Sequence, residues 1–429
     1  MKKKTRTTSK VPETGFAYRN GVLHTDGLSL AEIADKQKTP VYVYCGRHIV
    51  ETYQAYDAAF GQRSHLVCYA VKANPAHAIL AALAKVGAGF DIVSGGELTR
   101  VLGAGGDPAR IVFAGVGKMD DELEAALDAG IRSFNVESHA ELHRLNTLAQ
   151  RKHCVAPVAL RVNPDIPADT HPHIATGDAK HKFGISQQQI APLAAATASL
   201  PGIALHGLAM HIGSQITALA PFADAAKRLR ALAIELRKTG INLKHVDLGG
   251  GLGVGKEAPT IPDYVGTLTK LFPADDCLEL IIEPGRSIVA HAGVLVTSVV
   301  RLKHGDEHSF AIVDAGMNDL LRPALYGAYH DIVNVDATAK PPTGTYDIVG
   351  PVCETSDTLG ARRRLAIREG SVLAIMGVGA YGATMSSHYN SRPRCPEIMV
   401  ESGVARLTRQ RETVEELSRN EKFMTTNNE

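Results

Sequence analysis

"HLVCYAVKANPAHAILAALAKVGAGFDIVSGGELTRVLGAG", residues 65–105, decides the fold. Its opening run, 65–71, is short, apolar and enriched in Val and Tyr, the composition of a buried strand. AHAILAALAKVG then repeats its apolar positions at helical spacing. FDIV returns to strand and GELTRVLGAG to helix. Strands joined through a helix run parallel, since an antiparallel pair needs only a tight turn. Lys72, at the end of the first strand, is the odd residue. A buried ammonium with no partner is costly, so its position asks for a chemical reason.

The rhythm continues along the chain. Strands are expected near 65–71, 90–94, 111–115, 133–136, 157–162, 205–211, 245–248 and 279–283. Helical runs such as DDELEAALDAG, SHAELHRLNTLAQR and PFADAAKRLRALAIELRKTG fall between them. Eight such units predict an α/β fold with a closed (β/α)8 barrel of the TIM type. An open doubly wound sheet is the alternative. After residue 300 the strand-like runs SFAIVDAG, YDIVGPVC, SVLAIMGVGAY and PEIMVESGVARL are separated by turns, which predicts a C-terminal all-β domain. Residues 1–47 are expected to be an arm and strand packing with that β domain, 48–300 the barrel, and 301–429 the β domain with a short charged helix, RQRETVEELSRNEKF. The early strand YVYC (42–45) precedes the barrel and is also placed to pair with it.

Composition narrows the function. The chain has 429 residues, suited to two domains, and a formal net charge of +1, which gives no case for nucleic acid or an anionic membrane as partner. Cysteines 45, 68, 154, 277, 353 and 395 show no CxxC pair and no metal spacing, and are read as reduced thiols of a cytoplasmic protein. The basic start MKKKTRTTSK is followed by no apolar segment, so a short disordered arm is expected rather than a signal peptide. No apolar run reaches the length of a membrane span.

The strand ends carry the chemistry. After Lys72 come Asp91 in FDIVSGGE, His211 to Ser214 in MHIGSQ, Asp247 to Gly253 in DLGGGLG, and Glu283 to Arg286 in EPGR. Each alone has a plain reading: a surface lysine, a core histidine, a glycine turn. GGGLG could also open a dinucleotide fingerprint, but no acidic strand end follows about 20 residues on. Together, on the face where barrels hold their active sites, they suit a cofactor with a phosphate, a cationic ring and an aldehyde. A lysine at a desolvated strand end is suited to a Schiff base, which removes the need to bury a bare ammonium. The aldehyde would be pyridoxal 5'-phosphate. Backbone N–H groups of GGGLG and PGR would receive its phosphate, Glu283 its pyridine nitrogen, and His211 would stack on the ring.

These segments, with YAVKAN (69–74), HKFGI (181–185), HIGSQI (211–216), DAGMNDLLRPALYGAYH (314–330), GPVCETSD (350–357), GAYG (379–382) and YNSRPRCPE (389–397), make the chain similar, from about residue 20 to 415, to the fold type III pyridoxal-phosphate decarboxylases, and within them to those acting on meso-diaminopimelate. The resemblance implies a Schiff base on Lys72, phosphate held by Gly250 and by Glu283, Pro284, Gly285 and Arg286, and cofactor contacts from Tyr381; Asp91, His211 and Ser214 complete the cofactor set. It implies that Cys353 is the proton donor and enters the site from the partner subunit of a homodimer. It assigns substrate binding to Arg286, Arg322, Tyr326, Glu354 and Tyr381. The implied reaction, the last step of lysine biosynthesis, removes CO2 from the D-configured end of meso-2,6-diaminopimelate and leaves L-lysine. No metal is expected. Taken alone, Cys353 would be read as a structural thiol, and YNSRPR is read as a charged edge turn with no catalytic role. The nearest alternative is a decarboxylase of D-ornithine or D-lysine. An alanine racemase would be expected to place an arginine at the pyridine nitrogen, a small pyridoxal-phosphate carrier would lack the β domain, and a non-catalytic regulator would have lost Lys72 or Cys353.

Overall fold

The structure, a computed structural model, describes residues 14–166, 182–306, 308–338 and 341–422. The expected N-terminal arm, and residues 171–181 of the loop HPHIATGDAKHKFGI, lie outside the described residues.

Eight parallel strands form the first domain: β1 (His65–Ala70), β2 (Gly89–Ile92), β3 (Ile111–Phe113), β4 (Ser133–Val136), β5 (Ala156–Asn163), β6 (Ile203–Ala209), β7 (His245–Asp247) and β8 (Glu279–Ile282). Each pairs with the next, and β8 pairs with β1 through Ile281 and Leu66, so the sheet closes into a barrel. The doubly wound alternative is thereby excluded. Helices begin directly after strands where the sequence supplies a cap. Ser94 Oγ accepts from the Glu97 N–H and Ser138 Oγ from the Glu141 N–H, while the two glutamates reach back to the N–H groups of Val93 and Glu137. After β8 the chain makes only a short helix, Arg286–Val289. The vacant place in the outer ring is taken by Gly46–Ala59, which precedes β1 and packs between Ile261–Leu271 and His77–Lys85. Tyr56 meets Tyr264 edge-on there, ring centres 6.4 Å apart.

The pleat sorts side chains by period two. Tyr69, Phe90, Phe113, Phe134 and Val136 point outward into the core shared with the helices. Leu66, Cys68, Val112 and Ile281 point inward and make a separate apolar plug. Above that plug, toward the C-terminal strand ends, the inward positions change character: Asp91, Asn135 and Asp247, all buried, with Glu283 just past β8. The barrel is therefore apolar below and acidic above.

The second domain is a sheet centred on the twelve-residue strand Gly293–His304. Its first half pairs with Val372–Met376 and its second half with Ser309–Val313. The strand Val41–Cys45 lies between Gly293–His304 and Glu397–Glu401, with Val43 opposite both Val294 and Ile398. YVYC thus pairs with the β sheet and not with the barrel. The arginine-rich strand Thr358–Ala366 and the small sheet of Phe16–Arg19, Val22–Thr25 and Leu28–Ser29 were not anticipated. Both are edge elements whose charged or short sequences hide the strand pattern. Of the expected C-terminal helix only Val414–Leu417 is helical, because Arg409 ends the strand Val404–Arg409 and Glu412 is engaged by the Arg394 N–H. Among the described residues no helix is long and apolar enough to cross a membrane.

Candidate active site

The acidic layer explains Lys72. Beyond Ala70 the chain makes a single 3-10 turn, Val71–Ala73, which swings Lys72 across the barrel mouth so that Nζ pairs with Asp91 Oδ2 on β2. Asp91 is fully buried and its Oδ1 has no hydrogen-bond partner. Burial works against the Lys72 ammonium, but the charge and hydrogen bond of Asp91 outweigh it, and its pKa lies above the ordinary lysine value.

A second buried pair faces the same space. Asp247 Oδ1 accepts from the Gly249 N–H at 2.9 Å and Oδ2 from Asn135 Nδ2 at 3.0 Å; the same Nδ2 stands 3.5 Å from Glu283 Oε1. Burial first, then the charges of Asp247 and Asp91, hold the Glu283 carboxyl well above the usual range. Asp247 receives the fixed donors, so the proton of the pair resides on Glu283. His211, on the loop after β6, accepts from the Gly250 N–H at Nδ1, 3.2 Å away. Burial, with Arg161 and Lys72, keeps its imidazole neutral, which leaves the ring proton on Nε2.

The glycines follow from crowding. A Cβ on Gly250 would stand 2.1 Å from the Glu283 carbonyl oxygen. Gly251 has φ +111, and its Cβ would stand 2.4 Å from the Gly213 oxygen. The loops after β6, β7 and β8 close on one another only because neither position carries a side chain. A Cβ on Gly285 would stand 2.9 Å from Ala70 Cβ, and the Pro284 carbonyl accepts the Ala70 N–H at 3.1 Å.

The β domain completes the cavity. Tyr381 (φ 55, a left-handed conformation) donates its N–H to the Ala73 carbonyl at 2.8 Å, and Asn74 Nδ2 donates to Gly379 O at 2.9 Å. These bonds tie the 379–381 turn to the turn bearing Lys72. The Arg286 guanidinium lies 4.7 Å from the Tyr381 ring centre and donates to Ser214 Oγ at 2.9 Å, while its buried Nε has no partner. Arg322 lies 5.3 Å from the Tyr326 ring and 5.9 Å from that of Tyr381. Burial and then Arg286 pull the Arg322 pKa down to about 10. Among the described residues neither arginine has a carboxylate partner, so the two offer a site for an anion. The cavity is open on one side, and Lys72, His211, Ser214, Glu283, Arg286 and Tyr381 are in its wall.

Two expected site residues stand elsewhere. Cys353 and Glu354 are exposed and do not line the cavity. Their loop is held from beneath by Asp357, whose carboxylate accepts from the N–H groups of Met317 and Val352. Asn135 and Asp247 were given no role from sequence. Their signal was a polar residue at an inward position of a short buried strand, SFNV and HVD.

Comparison with known proteins agrees with this geometry. The model of the family described as "Pyridoxal-dependent decarboxylase, pyridoxal binding domain" matches residues 46–290. The diaminopimelate decarboxylase of Vibrio cholerae is 50% identical over 409 residues, covering 94% of this chain and 97% of that protein. That of Haemophilus influenzae is 48% identical, covering 94% and 98%. Among solved structures, the diaminopimelate decarboxylase from Helicobacter pylori complexed with L-lysine superposes with a TM-score of 0.88 at 41% identity, covering 91% of this chain and 98% of its own.

The charge arrangement makes a testable statement. In the cofactor-free chain, Asp91→Asn removes the nearest charge holding Lys72 protonated, so its pKa falls. Acylation of Lys72 by acetic anhydride near pH ~8 then speeds up by about 10-fold or more, read by peptide mass mapping against the other lysines. An unchanged rate would mean that Asp91 does not govern the amine.

Proposed function

The chain belongs to the pyridoxal-dependent decarboxylases, in the branch of the diaminopimelate decarboxylases, and from that premise we propose that it removes CO2 from the D-centre of meso-2,6-diaminopimelate to give L-lysine. The observation that carries this reading is one amine, Lys72, set among buried carboxyl groups beside two guanidinium groups that have no acidic partner among the described residues.

Those residues fit pyridoxal phosphate. Lys72 Nζ is the amine for its aldehyde, and the protonated Glu283 is the group for its ring nitrogen. Side-chain-free backbone at Gly250 and Gly251, with Ser214 and the Pro284–Gly285–Arg286 turn, suits its phosphate. Asp91 has an unused buried oxygen, and the neutral His211 suits a ring face. When bound, the cofactor supplies an aldehyde that takes up amines and a cationic ring that accepts the electron pair released as CO2 leaves.

The chain's own residues do the rest. Lys72 Nζ would hold the aldehyde of the bound cofactor and release it to the amine of the substrate. Glu283, protonated by its burial beside Asp247 in the free cavity, would give that proton to the ring nitrogen and remain beside it as the carboxylate that keeps the ring cationic. Arg286 and Arg322, with Tyr326 and Tyr381, hold the carboxylate of the substrate's L-configured end, which fixes the D-configured end over the reacting position. An ornithine or lysine would bring an ammonium to these two cations, and they would repel it. Cys353 then delivers a proton to Cα, and Glu354 receives the distal ammonium. Both stand away from Lys72 within one chain, so we place them in the cavity of a second copy, which makes the working unit a homodimer with two shared sites.

With meso-2,6-diaminopimelate the purified protein is expected to release CO2 and lysine in equal amounts. A larger kcat/KM for D-ornithine or D-lysine would reject the substrate assignment. Subunit exchange tests the shared site. Lys72→Ala and Cys353→Ala are each expected to be inactive. Mixed with verified exchange, half of the dimers are hybrids with one intact site, so roughly a quarter of wild-type activity returns. No return would place both residues in a site made by a single chain.

A further inference from the structure

The segment YNSRPR received no role from sequence, yet it makes the closest contacts to Cys353. Asn390 Oδ1 accepts from the Cys353 N–H at 3.3 Å and from Cys353 Sγ at 3.4 Å. One oxygen facing two donors also fixes the amide's orientation, since the flipped amide would set its own N–H groups against both. The backbone bends to put that oxygen there. Asn390 has φ 56 and ψ 29, and Ser391 follows with φ 52. Two consecutive non-glycine residues in the left-handed region are sustained only where surrounding bonds fix them, and such strain gathers at functional positions. The bonds are present: the Ser387 N–H donates to Asn318 O at 2.9 Å, and Arg392 Nη2 to Asp314 O at 3.4 Å. The Cys353 loop is anchored independently, through Asp357. The neighbouring residues repeat the pairing, with the Tyr389 hydroxyl bonded to the Glu354 carboxylate and holding it below the usual range.

We infer that Asn390 is a positioning residue for the Cys353 thiol, fixing the backbone of Cys353 and aiming its S–H. The inference rests on the reading of Cys353 as the donor. An S–H donates to the amide oxygen, whereas a bare sulfur has nothing to donate and would meet the oxygen's lone pairs. The N–H bond to the same oxygen fixes the Cys353 backbone, so the direction of the thiol depends on one side chain.

The test separates side chain from backbone. Asn390→Gly keeps the left-handed conformation and removes the acceptor, whereas Asn390→Asp keeps an acceptor oxygen. In the holoenzyme, Asn390→Gly is expected to lower kcat by about 10-fold or more with KM within about threefold, and Asn390→Asp to recover kcat to within about threefold of wild type. Alkylation of Cys353 by iodoacetamide, mapped by mass spectrometry, should quicken by about threefold or more in Asn390→Gly, while that of the exposed Cys277 stays as it is. Wild-type kcat in Asn390→Gly, or a loss of kcat with unaltered alkylation at Cys353, overturns the assignment. Wild-type turnover in Cys353→Ala alone would instead reject the donor reading itself, and the positioning role with it; that arm leaves Asn390 intact, so the two failures are distinguishable.

Discussion

The structure is organised around one electrostatic constraint: a single amine at the mouth of the barrel faces three buried carboxyl groups. Asp91, Asp247 and Glu283 occupy inward positions of the same layer, and Lys72 is the cation set against them. In a low-dielectric interior this set is stable only if the negative charge is reduced. The ion pair with Lys72 neutralises Asp91. The proton on Glu283, beside Asp247 and with Asn135 donating to both, removes a second charge. What remains is a pocket that favours a cationic ring and keeps an amine at hand, which is the chemistry the family uses.

That arrangement needs both domains to be locked in position. The strand Val41–Cys45 enters the β sheet before the barrel begins, and Gly293–His304 leaves the barrel directly into the same sheet, beside it. The chain thus crosses between the domains on adjacent strands, which gives a short, stiff connection. At the cavity the fastening is finer. Tyr381 takes up a strained left-handed conformation to bond the Ala73 carbonyl and present its ring to Arg286 and Arg322. The two guanidinium groups therefore sit over an aromatic face in place of a carboxylate, and keep their charge for a ligand.

Much of this was legible in the sequence because the barrel repeats a simple signal. Short strand-like runs alternate with helical ones, some of them opened by a cap such as Ser94 or Ser138, and Lys72, His211 and Glu283 sit one or two positions past a strand. The β domain was less readable. Val41–Cys45 pairs across some 250 residues of chain, a long-range choice that local pattern does not encode. Thr358–Ala366 carries three arginines on an edge and does not look apolar enough to be a strand. Asn135 was passed over, and Asp247 was noted at its strand end without a role, because a polar residue in a three- or four-residue strand has no period to mark its direction. Asn390 was hidden for a different reason: its role lies in a contact between two turns, and turns carry no pattern that pairs them.

The account's central claim is that Lys72 carries the cofactor within this acidic layer. Borohydride reduction of the holoenzyme makes any link between pyridoxal phosphate and a lysine permanent, and digestion with mass spectrometry locates it. The account predicts a phosphopyridoxyl group on the peptide containing Lys72, and none anywhere in Lys72→Ala. A label on any other lysine in the unmodified chain would contradict it.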